Sequence, residues 1–407
     1  MKFSVLLKVL LVLIVTELCL GGGGRFTAWG IVSLRMILFS LAIILTSLAL
    51  FNQKKREMIR KEYLNLLLLF ILVVLIGLVT GIENGTITVF WKEDIKPLAY
   101  FLILPFFLIT ICSKHDVSII SNIIIISSAI ISVLFFLALL VIHLQLVPFL
   151  SFYQTVANTE ELFFRGEYTF FYKGFLYVGI GIIFIYFLMQ GPFKRMMIIL
   201  LSLVLLLSLT RGMMLAVLLT LALYYLYEKP SWRITLPVFL SVFILFEGRT
   251  AITKISLWLD ANKSIITLHD LTMKRPANIL LGDRVYSDSQ RLIQFKEVYD
   301  RTSLSSILIG HGFGIGVPDR PIHMEISYLE IFHKQGIIGL AFWSFLLWML
   351  WSRYKVVSDS PYAKSFFYGS LFVFIQSFTN QYINNPIGLS MLLLSLVCLD
   401  RLKKEII

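Results

Sequence analysis

The sequence predicts an all-α polytopic membrane protein with about twelve transmembrane helices and one large loop on the non-cytoplasmic side. Three observations predict it. Of 407 residues, 58% are hydrophobic and only 15% charged, with a mean hydropathy of +0.86, far from the composition of a water-soluble domain. Apolar runs of roughly 18 residues or more recur from end to end, each able to cross about 30 Å of hydrocarbon as a helix that satisfies its own backbone. Basic residues gather in alternate short loops, the asymmetry that sets orientation in a bilayer.

The spans are expected near Phe3 to Leu20, Ile31 to Phe51, Tyr63 to Ile82, Ile95 to Cys112, Val117 to His143 and Tyr172 to Met189. They continue with Met196 to Leu209, Gly212 to Tyr227, Trp232 to Phe246, Gly336 to Trp351, Ala363 to Phe378 and Ile387 to Leu399, and Met196 to Tyr227 also reads as one kinked helix. Lys2 before an apolar stretch that ends near Gly21 to Gly24 has the look of a secretory signal. The apolar part is long for a signal core, and Thr16, Glu17 and Leu18 ahead of Cys19 are not the small residues of a lipoprotein cleavage site, so the segment is expected to be the first helix. Three parts follow: a first transmembrane bundle of about nine helices over 1–247, a large loop with short helices over 248–330, and about three last helices over 331–407.

Orientation follows from the loops. Lys54, Lys55, Arg56, Arg60 and Lys61 mark one cytoplasmic loop; Lys194 with Arg195, Lys229 with Arg233, Arg353 with Lys355 and Lys364, and Arg401 with Lys403 and Lys404 mark others. Both termini fall inside, and the acid-bearing loops Glu83 to Asp94 and Glu160 to Glu167 fall outside. The net charge of +12 thus reflects topology; anionic lipid headgroups are sufficient partners for it, and nothing suggests nucleic acid. Cys19, Cys112 and Cys398 lie in or beside apolar spans, which indicates neither a disulfide framework nor a metal cluster.

The stretch from about Gly248 to Tyr328 is polar and far longer than an ordinary helix connection, and parity places it outside. It is the natural place for a site. Parity also brings Arg211, in Ser208-Leu209-Thr210-Arg211-Gly212, to the outer end of a span; the bland reading is an arginine snorkelling to headgroups. The loop holds His269, His311 and His323, with His333 just beyond, and Arg249, Arg275, Arg284, Arg291, Arg301 and Arg320. Arginine outnumbers lysine there, a bias that suits bidentate binding of phosphate or carboxylate. For any one arginine the bland alternative is a solvated salt bridge to Asp260, Asp270, Asp283, Asp288, Glu297 or Asp300.

Arg291 to Tyr299, with Leu292, Phe295 and Val298 at helical spacing, predicts an amphipathic helix resting its apolar stripe on the core. Gly310-His311-Gly312-Phe313-Gly314-Ile315-Gly316 would let backbone approach a ligand or turn sharply; without a strand-to-helix unit or a following Lys-Ser or Lys-Thr it is a weak nucleotide loop, and a packing turn is the better expectation. The loop has no Asp-x-Asp pair, no His-Glu-x-x-His and no local His and acid set with zinc spacing, so neither metal nor other cofactor is called for. A ligand shared by His311 and His323 is a remote option.

These residues resemble the O-antigen polymerase and ligase superfamily of bacterial envelope glycosyltransferases. The resemblance rests on Arg211-Gly212 opening a helix and on Arg291 four residues before Phe295. It continues with Gly310 to Gly316 and with Glu325-Ile326-Ser327-Tyr328-Leu329 leading to Gly336-Ile337-Ile338-Gly339. One departure stands out: where many members carry His, this chain has Glu325, with His323 two residues earlier. Residues two apart share a side on an extended chain but not on a helix, and Pro318 and Pro321 favour an extended entry, so both could face one site.

The resemblance implies a fold like the class C (GT-C) glycosyltransferases and a donor glycan on undecaprenyl diphosphate, transferred to a sugar hydroxyl at the periplasmic face of the inner membrane. Arg211, Arg291 and Arg284 would hold the departing diphosphate without metal. His323 or Glu325 would take the proton of the attacking hydroxyl. Arg320 and Tyr328 are further candidates. Polymerase and ligase differ in acceptor, another lipid-linked repeat unit or the lipid A-core; the His-x-Glu departure favours a polymerase. Flippase and chain-length regulator proteins are the implied partners. A flippase or transporter is the alternative from another class, but repeated halves, usual in transporters, are not visible in the sequence.

Overall fold

A computed structural model describes residues 3–26, 28–29, 32–85, 90–147, 149–157, 159, 161–164, 169–230 and 290–404. The expected span Trp232 to Phe246 lies outside the described residues, as do Arg249, His269, Arg275 and Arg284.

Every other expected span forms helix. In chain order these are α1 (Phe3–Leu20), α2 (Leu34–Leu50), a short α3 (Gln53–Arg56), α4 (Lys61–Glu83), α5 (Trp91–Ala99), α6 (Leu104–Thr110), α7 (Lys114–His143), α8 (Phe149–Ala157), α9 (Phe175–Leu188), α10 (Gly191–Leu207) and α11 (Arg211–Glu228). Then follow α12 (290–301), α13 (Leu304–Ile309), α14 (Ser327–Val356), α15 (Pro361–Gln376) and α16 (Pro386–Lys404). Two small antiparallel hairpins, β1 (Ala28–Trp29) with β2 (Val32–Ser33) and β3 (Leu162–Phe164) with β4 (Phe170–Tyr172), join helix ends. Among the described residues four helices, α1, α4, α7 and α14, are long and apolar enough to cross a bilayer, and α2 and α9 are shorter apolar helices.

Two elements differ from the sequence reading for identifiable reasons, and a third resolves an alternative. The segment Ile95 to Cys112 is not one helix. Pro97 and Pro105 remove backbone donors, and the chain passes through α5, a tighter turn at Tyr100–Ile103, and α6. Met196 to Tyr227 is two helices, as the two expected spans have it and not the kinked-helix alternative, because the chain turns at 208–210, with Leu209 at φ 56°. α14 starts nine residues before the expected Gly336, which is instead a break inside it at φ 61°, ψ −156°.

The core forms where helices are apolar all round. α9 is buried from Phe175 to Ile185 and packs on α7, α10 and α15, while α16 is buried from Ile387 to Leu402. Peripheral α4 instead turns Leu64, Leu68, Leu72, Leu75 and Val79 outward, a stripe suited to hydrocarbon. The 30-residue α14 separates two charged ends. Arg60, Arg353, Lys364 and Arg401 lie at one, and the candidate site lies at the other.

Candidate active site

The site is assembled around the break in α14. The alternating glycines sit at Gly310, φ 76°, Gly312, φ 89°, and Gly314, φ 90°, a left-handed conformation that a side chain resists. This lets the loop insert between α4 and α14. The amides of His311 and Gly312 donate to the carbonyls of His333 (2.8 Å) and Lys334 (3.0 Å) just before the break, and Phe313 N donates to Gly77 O at 3.0 Å. A Cβ on Gly312 would collide with the backbone of Gly81, and one on Gly336 with the backbone of Leu308. The run is therefore a packing turn. Its fourth link reaches a side chain: Gly314 N donates to Asp94 Oδ2 at 2.8 Å.

That carboxylate belongs to a buried cluster. Lys334 Nζ donates to Asp94 Oδ1 and to Glu330 Oε1, 2.6 Å each, and to Ile322 O at 2.8 Å. Glu330 lies one helical turn before Lys334, so α14 presents both on one face. Glu330 Oε1 also meets His323 Nδ1 at 3.1 Å, while Oε2 accepts from Gln381 and from Asn384 Nδ2, the latter at 3.0 Å. Asp94, Glu330 and Lys334 are almost wholly buried; the His323 side chain is 39% exposed. Burial pushes the Asp94 carboxyl above its usual range even with the ammonium beside it. Buried charges are tolerable only when so fully partnered. Asp94, His323 and Glu330 offer donor atoms within 4.8 Å of one another, a spacing a cation could use, and the Lys334 ammonium supplies positive charge there. The sequence search for local metal spacing could not see this set, whose members are drawn from α5, the loop and α14.

A second cluster lies beside the first. Glu325 accepts from Arg291 Nε at 3.0 Å and from Arg320 at 3.1 Å, and its backbone amide donates to Gln294 Oε1 at 3.1 Å. Arg291 also donates to Thr379 O at 3.2 Å, in the turn between α15 and α16. The same turn meets the start of α11: a Cβ on Gly212 would lie 2.7 Å from Thr379 Oγ1. The Arg211-Gly212 pair thus abuts the turn that Arg291 holds, with Arg211 exposed at the helix start.

The structure brings together Arg291, Arg320 and Glu325, and it places His323 in the other cluster. His323 and Glu325 precede the first turn of α14, as the prolines suggested, yet each is engaged by different groups. Tyr328 is held by its hydroxyl on Phe374 O at 2.8 Å. His311 does not join His323; its ring stacks on that of His333, centroids 4.6 Å apart. The apolar stripe expected to hold α12 on the core is mostly outward, with Leu292 72% and Phe295 54% exposed. The packing face is polar instead. Gln290, Gln294 and Val298 recur every four residues and are buried, because Gln294 bridges Glu325 and Asp319. Asp94, Glu330, Lys334 and Gln294 were missed in sequence; a Glu and a Lys four apart just before an apolar span was the available signal.

Helices long and apolar enough to cross a membrane, with a charged cluster at one end of the bundle, define an all-helical membrane protein with a candidate site outside the apolar zone. No protein-family profile matches the chain. The chain is 28% identical over 340 residues, 82% of its own length and 79% of the relative's, to a curated Shigella flexneri protein named O-antigen polymerase. This relative bears out the resemblance to the O-antigen polymerase and ligase superfamily.

Proposed function

We propose that the protein is a polymerase of O-antigen or another surface polysaccharide. It joins undecaprenyl-diphosphate-linked repeat units at the periplasmic face of the bacterial inner membrane, in a fold of about twelve spans related to the GT-C enzymes, with both termini cytoplasmic. The observation that carries the reading is the pairing of Arg291 and Arg320 with Glu325, beside a half-exposed His323 that Glu330 orients. The relative's name favours a polymerase over a ligase.

In the proposed reaction an acceptor sugar hydroxyl attacks the anomeric carbon of the donor. The bond from that carbon to the diphosphate breaks, and the lipid diphosphate leaves with the electron pair. Arg291 and Arg211 meet its charge; Arg284, outside the described residues, is a third candidate. Glu325 holds Arg291 and Arg320 in place for the diphosphate, the role its two arginine contacts support. His323 is the base we assign. With Nδ1 engaged by Glu330, Nε2 is the nitrogen left to take the hydroxyl proton. The transfer is written without metal because Lys334 already provides positive charge between Asp94 and Glu330.

The test is a strain lacking this protein, complemented with Arg211→Ala, Arg291→Ala, His323→Ala or Glu325→Ala, with glycan length read on a gel. A polymerase defect leaves single repeats on the core, whereas a ligase defect leaves long glycan on its lipid carrier. Normal glycan in all four variants, each confirmed to be expressed, overturns the site.

A further inference from the structure

The turn between α15 and α16, Ser377 to Asn385, carries three asparagines and a glutamine. Gln381 and Asn384 are committed to Glu330, and Ser327 Oγ ties the turn to α14 through Asn380 O and Asn384. Ser377, Tyr382 and Ile383 are buried, and Phe378 faces outward. Phe378 is 63% exposed, and its ring lies against that of Tyr328, centroids 4.4 Å apart at 41°, with the tyrosine fixed through its hydroxyl on Phe374 O. Next to it, Thr379 Oγ1 accepts from the Asn380 side-chain amide at 3.2 Å. Beneath lies Gln376, fully buried, with neither amide oxygen nor nitrogen hydrogen-bonded; a methyl on Gly212 would lie 3.5 Å from that nitrogen.

A rigid aromatic face flanked by side-chain amides and a hydroxyl matches one ligand class well. The C–H face of a sugar ring stacks on the aromatic ring, while amides, each both donor and acceptor, read vicinal hydroxyls. Phe378 is exposed apolar surface followed directly by the partly exposed polar residues Thr379 and Asn380.

We propose that residues 378–380 with Tyr328 form a sugar-ring subsite. A pyranose of the glycan stacks on Phe378, and Thr379 and Asn380 read its hydroxyls. The inference rests on the glycosyltransferase reading and adds to it the place where the sugar is recognised. Thr379 fixes that place relative to the chemistry, since its carbonyl holds Arg291 and its side chain abuts Gly212. The ring bound here is the one next to the leaving diphosphate.

The experiment uses the full chain in lipid nanodiscs and two probes prepared from the strain lacking the protein. One is the repeat-unit oligosaccharide released from its carrier by mild acid, and the other is the same oligosaccharide still on its lipid diphosphate. Binding of the first is followed by saturation-transfer NMR. Phe378→Ala is expected to weaken it about tenfold and Phe378→Trp to retain it. Wild-type-like binding by Phe378→Ala, or no binding by the wild type, overturns the subsite. The diphosphate reading fails separately, if Arg291→Ala binds the lipid-linked probe as tightly as the wild type does.

Discussion

At the basic end of the bundle Arg60 meets Asp400 at 3.0 Å, Arg353 meets Glu62 at 2.9 Å and Lys364 meets Glu228 at 3.1 Å, and each contact fastens one helix or loop to another. Arg401 completes the set on the carbonyls of Leu108 and Ile111. At the opposite end the carboxylates are shared: Glu330 serves a lysine, a histidine and two amides, and Glu325 serves two arginines. Glu62 is largely exposed and Asp400 is buried between Arg60 and Arg353, each carboxylate paired with arginine, whereas Asp94 and Glu330 are sealed in together around Lys334. Charge at the first end orients and ties the helices. Charge at the second is concentrated beyond what joining helices requires, which is the mark of a site.

The contrast is most sharply broken or upheld at the lysines. Lys334→Met leaves two buried carboxylates facing each other and is expected to cost about 3–5 kcal/mol, read as loss of folded protein in a thermal melt in detergent. Lys364→Met at the other end is expected to cost under about 1 kcal/mol in the same melt; equal losses would erase the distinction.

Next in size are the arginines. Arg291→Ala and Arg211→Ala are each expected to lower polymerisation about 100-fold or more at normal protein levels, measured as glycan length and as turnover in nanodiscs. Arg353→Ala, which loses a helix tie, should leave turnover per folded molecule unchanged. The two candidate bases come after. His323→Ala is expected to lower turnover about 100-fold and Glu325→Ala only a few fold; the reverse order would transfer the role of base to Glu325. The smallest effect tests packing. Gly85, at φ 64° with open space around it, should lose about 1 kcal/mol on change to Ala, less than Gly312→Ala, which adds a collision with Gly81; thermal melts of the two decide it.

The helices were legible because a bilayer demands long apolar runs, and Phe3–Leu20 matches its expected bounds. The break at Pro97 and Pro105 was not expected, since proline is tolerated in a span where neighbours re-satisfy the backbone. For the site, Arg291, Arg320, His323 and Glu325 stood in one outer loop and could be named together. Asp94 could not be, because 240 positions separate it from Lys334 and only the insertion of the glycine loop between α4 and α14 joins them. The face of α12 was misread for a related reason: hydrophobic spacing predicts what seeks an apolar partner, and here the partner was a row of carboxylates and amides.

The break at Gly336 sets the span and the site on separate footings. The first nine residues of α14 are stitched sideways to the 310–314 loop through the carbonyls of His333 and Lys334. The remainder, from Ile337 to Val356, runs on as a helix toward the basic end. Because Gly336 is the joint between the two parts, substitutions that change the tilt or length of the second part leave Glu330 and Lys334 in register with the 310–314 loop.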